Sequence, residues 1–123
     1  MEKVEESKYP FEVSLDERID PDSVTFRIIF GKELPDREEF ESIVKAWADK
    51  GISEGYGKEK MHYLDSEPDE SGEGGFEWNE EEGWVEFFAD LGSTDKEALE
   101  ALFGNLISFD QIKEVKVGSG YDW

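Results

Sequence analysis

A chain of 123 residues fits one domain whose core needs no covalent staples. Its formal net charge of −20, from 33 acidic against 13 basic side chains, turns away nucleic-acid phosphates and anionic membrane surfaces and favours basic partners. The absence of cysteine excludes a disulfide framework, thiolate chemistry and a cysteine-based zinc site.

The hydrophobic fraction is low, 37%, but it includes 9 Phe, 4 Trp and 4 Tyr, and large aromatics bury much area per residue. A disordered acidic chain would be poor in such residues, so a folded domain is expected. No apolar run follows the charged N-terminal residues, and no stretch of about 18 consecutive apolar residues occurs. Neither a signal peptide nor a membrane span is therefore expected, and the expected address is cytoplasmic.

In chain order, Phe11, Val13 and Leu15 alternate with polar residues inside the charged stretch 1–22, which reads as an N-terminal arm or an added edge strand. Val24 to Phe30, VTFRIIF, is nearly continuous in apolar residues with one charge, the pattern of a central strand. Pro35 suits a first helical position, and Asp36, Glu38 and Glu39 place negative charge in the first turn. Phe40, Ile43, Val44, Trp47 and Ala48 then form the stripe of an amphipathic helix, with Trp47 read as a core residue and Lys50-Gly51 as a stop.

A strand is expected over Lys60 to Leu64, followed by the loop DSEPDESGEGG, Asp65 to Gly75. Phe76 and Trp78 alternate with polar residues, Asn79 to Gly83 supplies turn residues, and Trp84 to Leu91 resumes with aromatic and β-branched side chains, so a hairpin is predicted. Thr94 and Glu97 have the spacing of a capping box ahead of Ala98, Leu99, Leu102, Phe103 and Leu106 at helical spacing. Ile112 to Val117 reads as a last strand without a clean face, and GSGYDW as a tail. The predicted architecture is α+β, a ferredoxin-like β-α-β-β-α-β arrangement with an antiparallel sheet, two helices on one face and room for one or two extra strands. The domain proper spans 23–118, with 119–123 as the tail.

No catalytic signature stands out. Read as an EF-hand, the acidic loop places Asp65, Glu67 and Asp69 at the first, third and fifth positions, but Glu70 stands where the sharp turn needs glycine and Phe76 where a bidentate Glu belongs. No metal and no cofactor are expected. His62 is the single histidine, flanked by Met61 and Tyr63 as an ordinary strand position would be. Gly118-Ser119-Gly120 precedes no helix, so it lacks the helix N-terminus that a phosphate cradle uses. Sheet aromatics exist, yet no basic surface accompanies them, which argues against direct RNA or DNA binding.

Val85, Phe87 and Ala89 alternate with Trp84, Glu86, Phe88 and Asp90, so one set faces the helices. If that set is Val85, Phe87 and Ala89, Trp84 and Phe88 lie on the other face among carboxylates, the composition of a site for a basic protein; alternatively, the N-terminal segment covers that face. The expected contact residues are Glu67, Asp69, Glu70, Glu73, Trp78, Glu80, Glu81, Glu82 and Trp84.

The section FEWNEEEGWVEFFADLGSTDKEALEALFGNL, Phe76 to Leu106, resembles the corresponding part of some small acidic immunity proteins of bacterial toxin systems. Those pair a strand, an acidic turn, an aromatic strand and an S/T-D-x-E-A-L helix, here Thr94 to Leu99. The resemblance covers about a quarter of the chain, and the Asp65 to Gly75 loop departs from it. It implies binding and neutralising a toxin, often a basic nuclease, and carries no functional residue over. The expectation is a non-enzymatic acidic module that blocks a basic protein, with a DNA mimic as a variant. The alternative is a small-molecule-binding regulatory or accessory domain of ferredoxin-like fold whose charge serves solubility.

Overall fold

Apolar residues at alternate positions of a strand must share one side of a sheet, and amphipathic helices must cover it. In a computed structural model of the protein, which describes residues 9–15, 24–31, 33–56, 59–65, 70, 75–92 and 96–119, the chain does this with two helices and six strands. They run β1 (Glu12–Leu15), β2 (Val24–Phe30), α1 (Arg37–Ser53), β3 (Tyr63–Asp65), β4 (Glu77–Asn79), β5 (Trp84–Asp90), α2 (Lys96–Leu106) and β6 (Ile112–Ser119). The sheet order is β1-β6-β2-β5-β3, with β4 also pairing β5. The α+β class is as expected. The sheet itself is mixed rather than antiparallel throughout, because β1 joins the free edge of β6 in parallel, Val13 beside Val115.

Register decides which side chains share a face. Phe26 stands between Phe87 of β5 and Val117 of β6, and Ile28 between Val85 and Val115. These residues, with Val24, Ala89 and Val13, form the buried side under the helices. Phe30 and Phe40 meet edge to face, as do Phe26 and Trp47, which seats α1 on β2. The Trp47 indole also donates to the carbonyl of Ala98 at 2.9 Å, tying α1 to α2. Phe103 of α2 packs edge-on against Tyr9 and Phe11, so residues 9–15 close the sheet edge and its helix side. Strand β6 gains its clean face through a register shift between Ile29 and Phe30, which brings Ile112 as well as Val115 and Val117 into the core.

Local chemistry corrects two boundaries. Pro35 precedes the helix, and Asp36 is the cap, its carboxylate accepting from the Glu38 amide at 3.0 Å. At the other end α1 continues through Gly51, which is buried against Met61 and Tyr56. The stop comes at Glu54 and Gly55, where Gly55 takes a left-handed φ of 87° and its amide reaches the Lys50 carbonyl. Helix α2 ends at Leu106 as expected, whereas Thr94 and the tail from 120 lie outside the described residues.

Candidate functional site

The side of the sheet turned away from the helices is a grid whose rows follow from the strand register. One row reads Ser14, Lys116, Arg27, Glu86 and Glu77 from β1 to β4. Its neighbours read Glu114, Ile29, Trp84 and Asn79 on one side and Gly118, Thr25, Phe88 and Asp65 on the other. Among the described residues no helix lies on this face. Trp84, Phe88 and Ile29 are half-buried here, and Tyr63 is 47% exposed with its ring 5.9 Å from that of Phe88. The set Val85, Phe87 and Ala89 is the one that packs inward, leaving Trp84 and Phe88 on the open side. Residues 9–15 do not cover this side, since they sit at the edge and against α2.

At its centre are two groups that the sequence reading passed over. Arg27 binds Glu86, its Nε donating to Oε2 at 2.6 Å and its Nη2 joining the same oxygen. The guanidinium carbon also stands 4.2 Å from the centre of the Trp84 ring, a cation–π contact that orients both side chains. Glu86 is only 7% exposed, unusual for a carboxylate and tolerable because Arg27 meets it. The clue in the sequence was the one charge inside VTFRIIF, but its partner emerges only from the register that sets Arg27 opposite Glu86.

The acidic turn lies beside this face. Asn79 accepts from the Gly83 amide at 2.8 Å through its carbonyl and from the Glu82 amide at 3.0 Å through its side chain, while Gly83 adopts a φ of 76°. That turn presents Glu80, Glu81 and Glu82 to solvent. Glu80 is ion-paired with Arg37, and Glu82 accepts from the Trp84 indole at 2.9 Å, so the turn is braced against both α1 and the open face. Trp78 lies elsewhere. It shares the helix side with Val85, stacks on Phe30 and donates from its indole to Glu41 at 2.9 Å. Of the loop residues, Glu70 is exposed, and Glu67, Asp69 and Glu73 lie outside the described residues. The loop's two ends, Asp65 and Gly75, line one cavity on the open side, which puts its attachment points next to Glu77 and Glu86.

Other features have less chemistry. His62 stands 3.3 Å from Asp90, whose carboxylate also accepts from the Gly92 amide, so the pair braces the turn after β5. Among the described residues no three or more histidines or carboxylates are placed to hold a metal ion. Nor, among those residues, is any helix long and apolar enough to cross a membrane. Between the helices lies a groove of about 290 Å³ lined by Ala46, Trp47, Lys50, Tyr56, Ala101 and Asn105. At its rim the Tyr56 hydroxyl donates to the Trp47 carbonyl at 2.8 Å. Burial, and next the charge of Glu54, push the Tyr56 phenol above its ordinary value. Comparison with protein-family models, with curated proteins and with solved structures finds no match to this chain.

Proposed function

We propose that this chain is an acidic, non-enzymatic protein-binding module that occupies and neutralises a basic partner, as a toxin-immunity protein or another inhibitor does. The observation that carries the reading is the open face of β5, where Trp84 stands beside a turn presenting three consecutive glutamates and Phe88 lies two rows further along the strand. Aromatic anchors at the centre of a contact supply most of its binding energy once desolvated. The surrounding charge acts earlier, accelerating encounter with a basic surface by roughly 10- to 1000-fold at low salt. With a net charge of −20 the chain also repels acidic competitors, which contributes specificity. A DNA mimic, its carboxylates spaced like phosphates, is a variant of the same physics. A cytoplasmic setting belongs to this reading.

The ferredoxin-like part of the fold assignment also belongs here. It is supported by the succession β2-α1-β4-β5-α2-β6, to which β1 and β3 are additions. A second reading, a small-molecule-binding regulatory domain, is favoured by the groove of about 290 Å³ between α1 and α2, near the lower end of ligand-pocket sizes.

Affinity capture of the tagged protein from lysate of its own organism separates the two. The first reading expects one basic protein, held stoichiometrically at low salt and released as ionic strength shortens the reach of exposed charges below about 8 Å. Retention of no specific protein, or retention indifferent to salt, counts against it.

A further inference from the structure

The central row of the open face carries a charge order that emerges only when its strands are registered. From β6 to β4 it reads Lys116, Arg27, Glu86 and Glu77, two cations followed by two carboxylates. Like charges therefore lie directly across from each other twice, Lys116 beside Arg27 and Glu77 beside Glu86, and each such pair is unfavourable within one sheet. The inner two relieve each other, since Arg27 binds Glu86. The outer two do not, because among the described residues neither Lys116 nor Glu77 enters an ion pair. Lys116 is half-buried and Glu77 exposed, so both ends of the row reach solvent. The row itself is neutral, in a chain of net charge −20.

Such a row is complementary to itself read backwards. A two-fold axis parallel to the strands, passing between β2 and β5, lays the row of one copy over the reversed row of another. Lys116 then meets Glu77 of the second copy, and Arg27 meets its Glu86. In the adjoining rows the same axis sets Ile29 over Trp84 and Thr25 over Phe88. At their ends Glu114 faces Asn79 and Asp65 faces Gly118, so nowhere on the three rows do like charges meet. An axis across the strands would instead set Arg27 on Arg27 and Glu86 on Glu86.

At about 4.8 Å between strands and about 6.7 Å between rows, the grid measures roughly 14 by 13 Å, a contact in the size class of weak, reversible association. We propose that the chain forms a weak two-fold dimer through this face, with Lys116 and Glu77 as its reciprocal ion pairs and Trp84 covered by Ile29 of the second copy. The dimer goes beyond the reading of the chain as a binder of a basic protein and does not rest on it. It is a resting state in which the aromatic face is shielded until a tighter partner displaces the second copy. Its salt dependence has the opposite sign to that of the basic complex. The surplus negative charge of both copies lies outside the neutral row, where salt screens it, whereas contacts enclosed between the faces are screened less. The dimer therefore tightens under conditions that loosen the basic complex.

The test is sedimentation equilibrium of the full chain in low and high salt, with ¹⁵N amide shifts locating the contact. The parent is expected to dimerise with a Kd on the order of 0.1–1 mM at about 0.5 M salt and more weakly at lower salt. Its concentration-dependent shifts should centre on Ile29, Trp84 and Lys116. Glu77→Lys and Lys116→Glu each remove a like-charge neighbour within the sheet and are expected to fold at least as well as the parent. Each alone should dimerise at least roughly tenfold more weakly, because both reciprocal contacts then set like charges together. An equimolar mixture should recover the parent's affinity within about threefold, since each variant offers the charge that the other lacks. Glu77→Lys separates geometry from general repulsion: it changes the net charge by two units, from −20 to −18, so repulsion alone would make it dimerise more readily than the parent. Four results would each overturn the two-fold contact: a parent that stays monomeric in both salts, a Glu77→Lys variant that dimerises as well as the parent, a mixture no tighter than either variant, or shifts centred on the groove between α1 and α2. None of them touches the acidic-binder reading, which the capture experiment decides. Conversely, a dimer with these properties and no basic protein captured would sink that reading and keep the two-fold contact.

Discussion

Replacing Glu86 by glutamine keeps the shape of the side chain and removes its charge from the middle of the open face. In the parent, Arg27 and Glu86 have side chains 24% and 10% exposed, so the pair lies between the buried and surface regimes. Breaking a fully buried pair costs about 3–5 kcal/mol, and an exposed one contributes about 0–1 kcal/mol. Because Glu86 is well buried and Arg27 retains water and the Trp84 ring, we place the loss near 2 kcal/mol. Relief of the repulsion with Glu77 returns roughly 0.5 kcal/mol. The net expectation is a destabilisation of about 1.5 kcal/mol, or a fall in melting temperature of about 4–7 °C for a domain of this size. Urea denaturation at neutral pH measures it, and a cycle with Arg27→Met isolates the pair, with an expected coupling of about 1–1.5 kcal/mol. Because the contact is shielded, the coupling should persist in high salt. An E86Q protein as stable as the parent, or a coupling below about 0.3 kcal/mol, would refute the argument that Arg27 compensates the buried acid.

Two further outcomes test the packing and the titration. Gly104 has open space where a Cβ would go, so Gly104→Ala should stabilise by about 0.5–1 kcal/mol through helix propensity. Gly51→Ala would place its Cβ 2.4 Å from the Met61 sulfur and 2.9 Å from the Tyr56 ring, and overpacking should outweigh the same propensity gain by about 1 kcal/mol, both read by thermal melts. The Tyr56 phenol, raised by burial and by Glu54, favours its neutral form in the folded state. Its contribution is therefore full below the ordinary tyrosine value near 10 and lost as pH rises through the higher folded value. Tyr56→Phe should flatten that alkaline loss while costing about 1 kcal/mol at neutral pH for the bond to the Trp47 carbonyl, as a pH series of denaturation curves would show.

Periodicity made β2, α1, the hairpin and α2 legible, since each buries one face and its spacing says so. Pairing is less legible, because a strand's pattern names its buried side and not its neighbour. The alternation of Phe11, Val13 and Leu15 announced a strand, but nothing in it pointed to a parallel partner in β6. The two hairpin tryptophans show the same limit. Trp78 lies directly across from Val85 and therefore follows it to the helix side, while Trp84, one residue earlier, takes the open face. The four-residue turn from Glu80 to Gly83 sets that register, and it becomes readable once Asn79 is matched to Trp84. Gly51 looked like a helix stop because it follows a lysine, yet its missing side chain serves Met61 and Tyr56, and Gly55 supplies the left-handed turn. Thr25, Arg27 and Glu86 were invisible as a group, since their proximity is a product of sheet registration between residues far apart in sequence.

The central claim is that a basic partner sits on the open face of β5 rather than between the helices. Its most direct test is the equilibrium affinity of the captured partner for two variants, Trp84→Ala on the open face and Ala46→Trp in the helix groove. If the account is right, Trp84→Ala weakens binding by roughly 30-fold or more, the loss of a central aromatic anchor, and Ala46→Trp leaves it within about twofold. If Ala46→Trp abolishes binding while Trp84→Ala is silent, the partner occupies the groove between α1 and α2, and the open face is not the site.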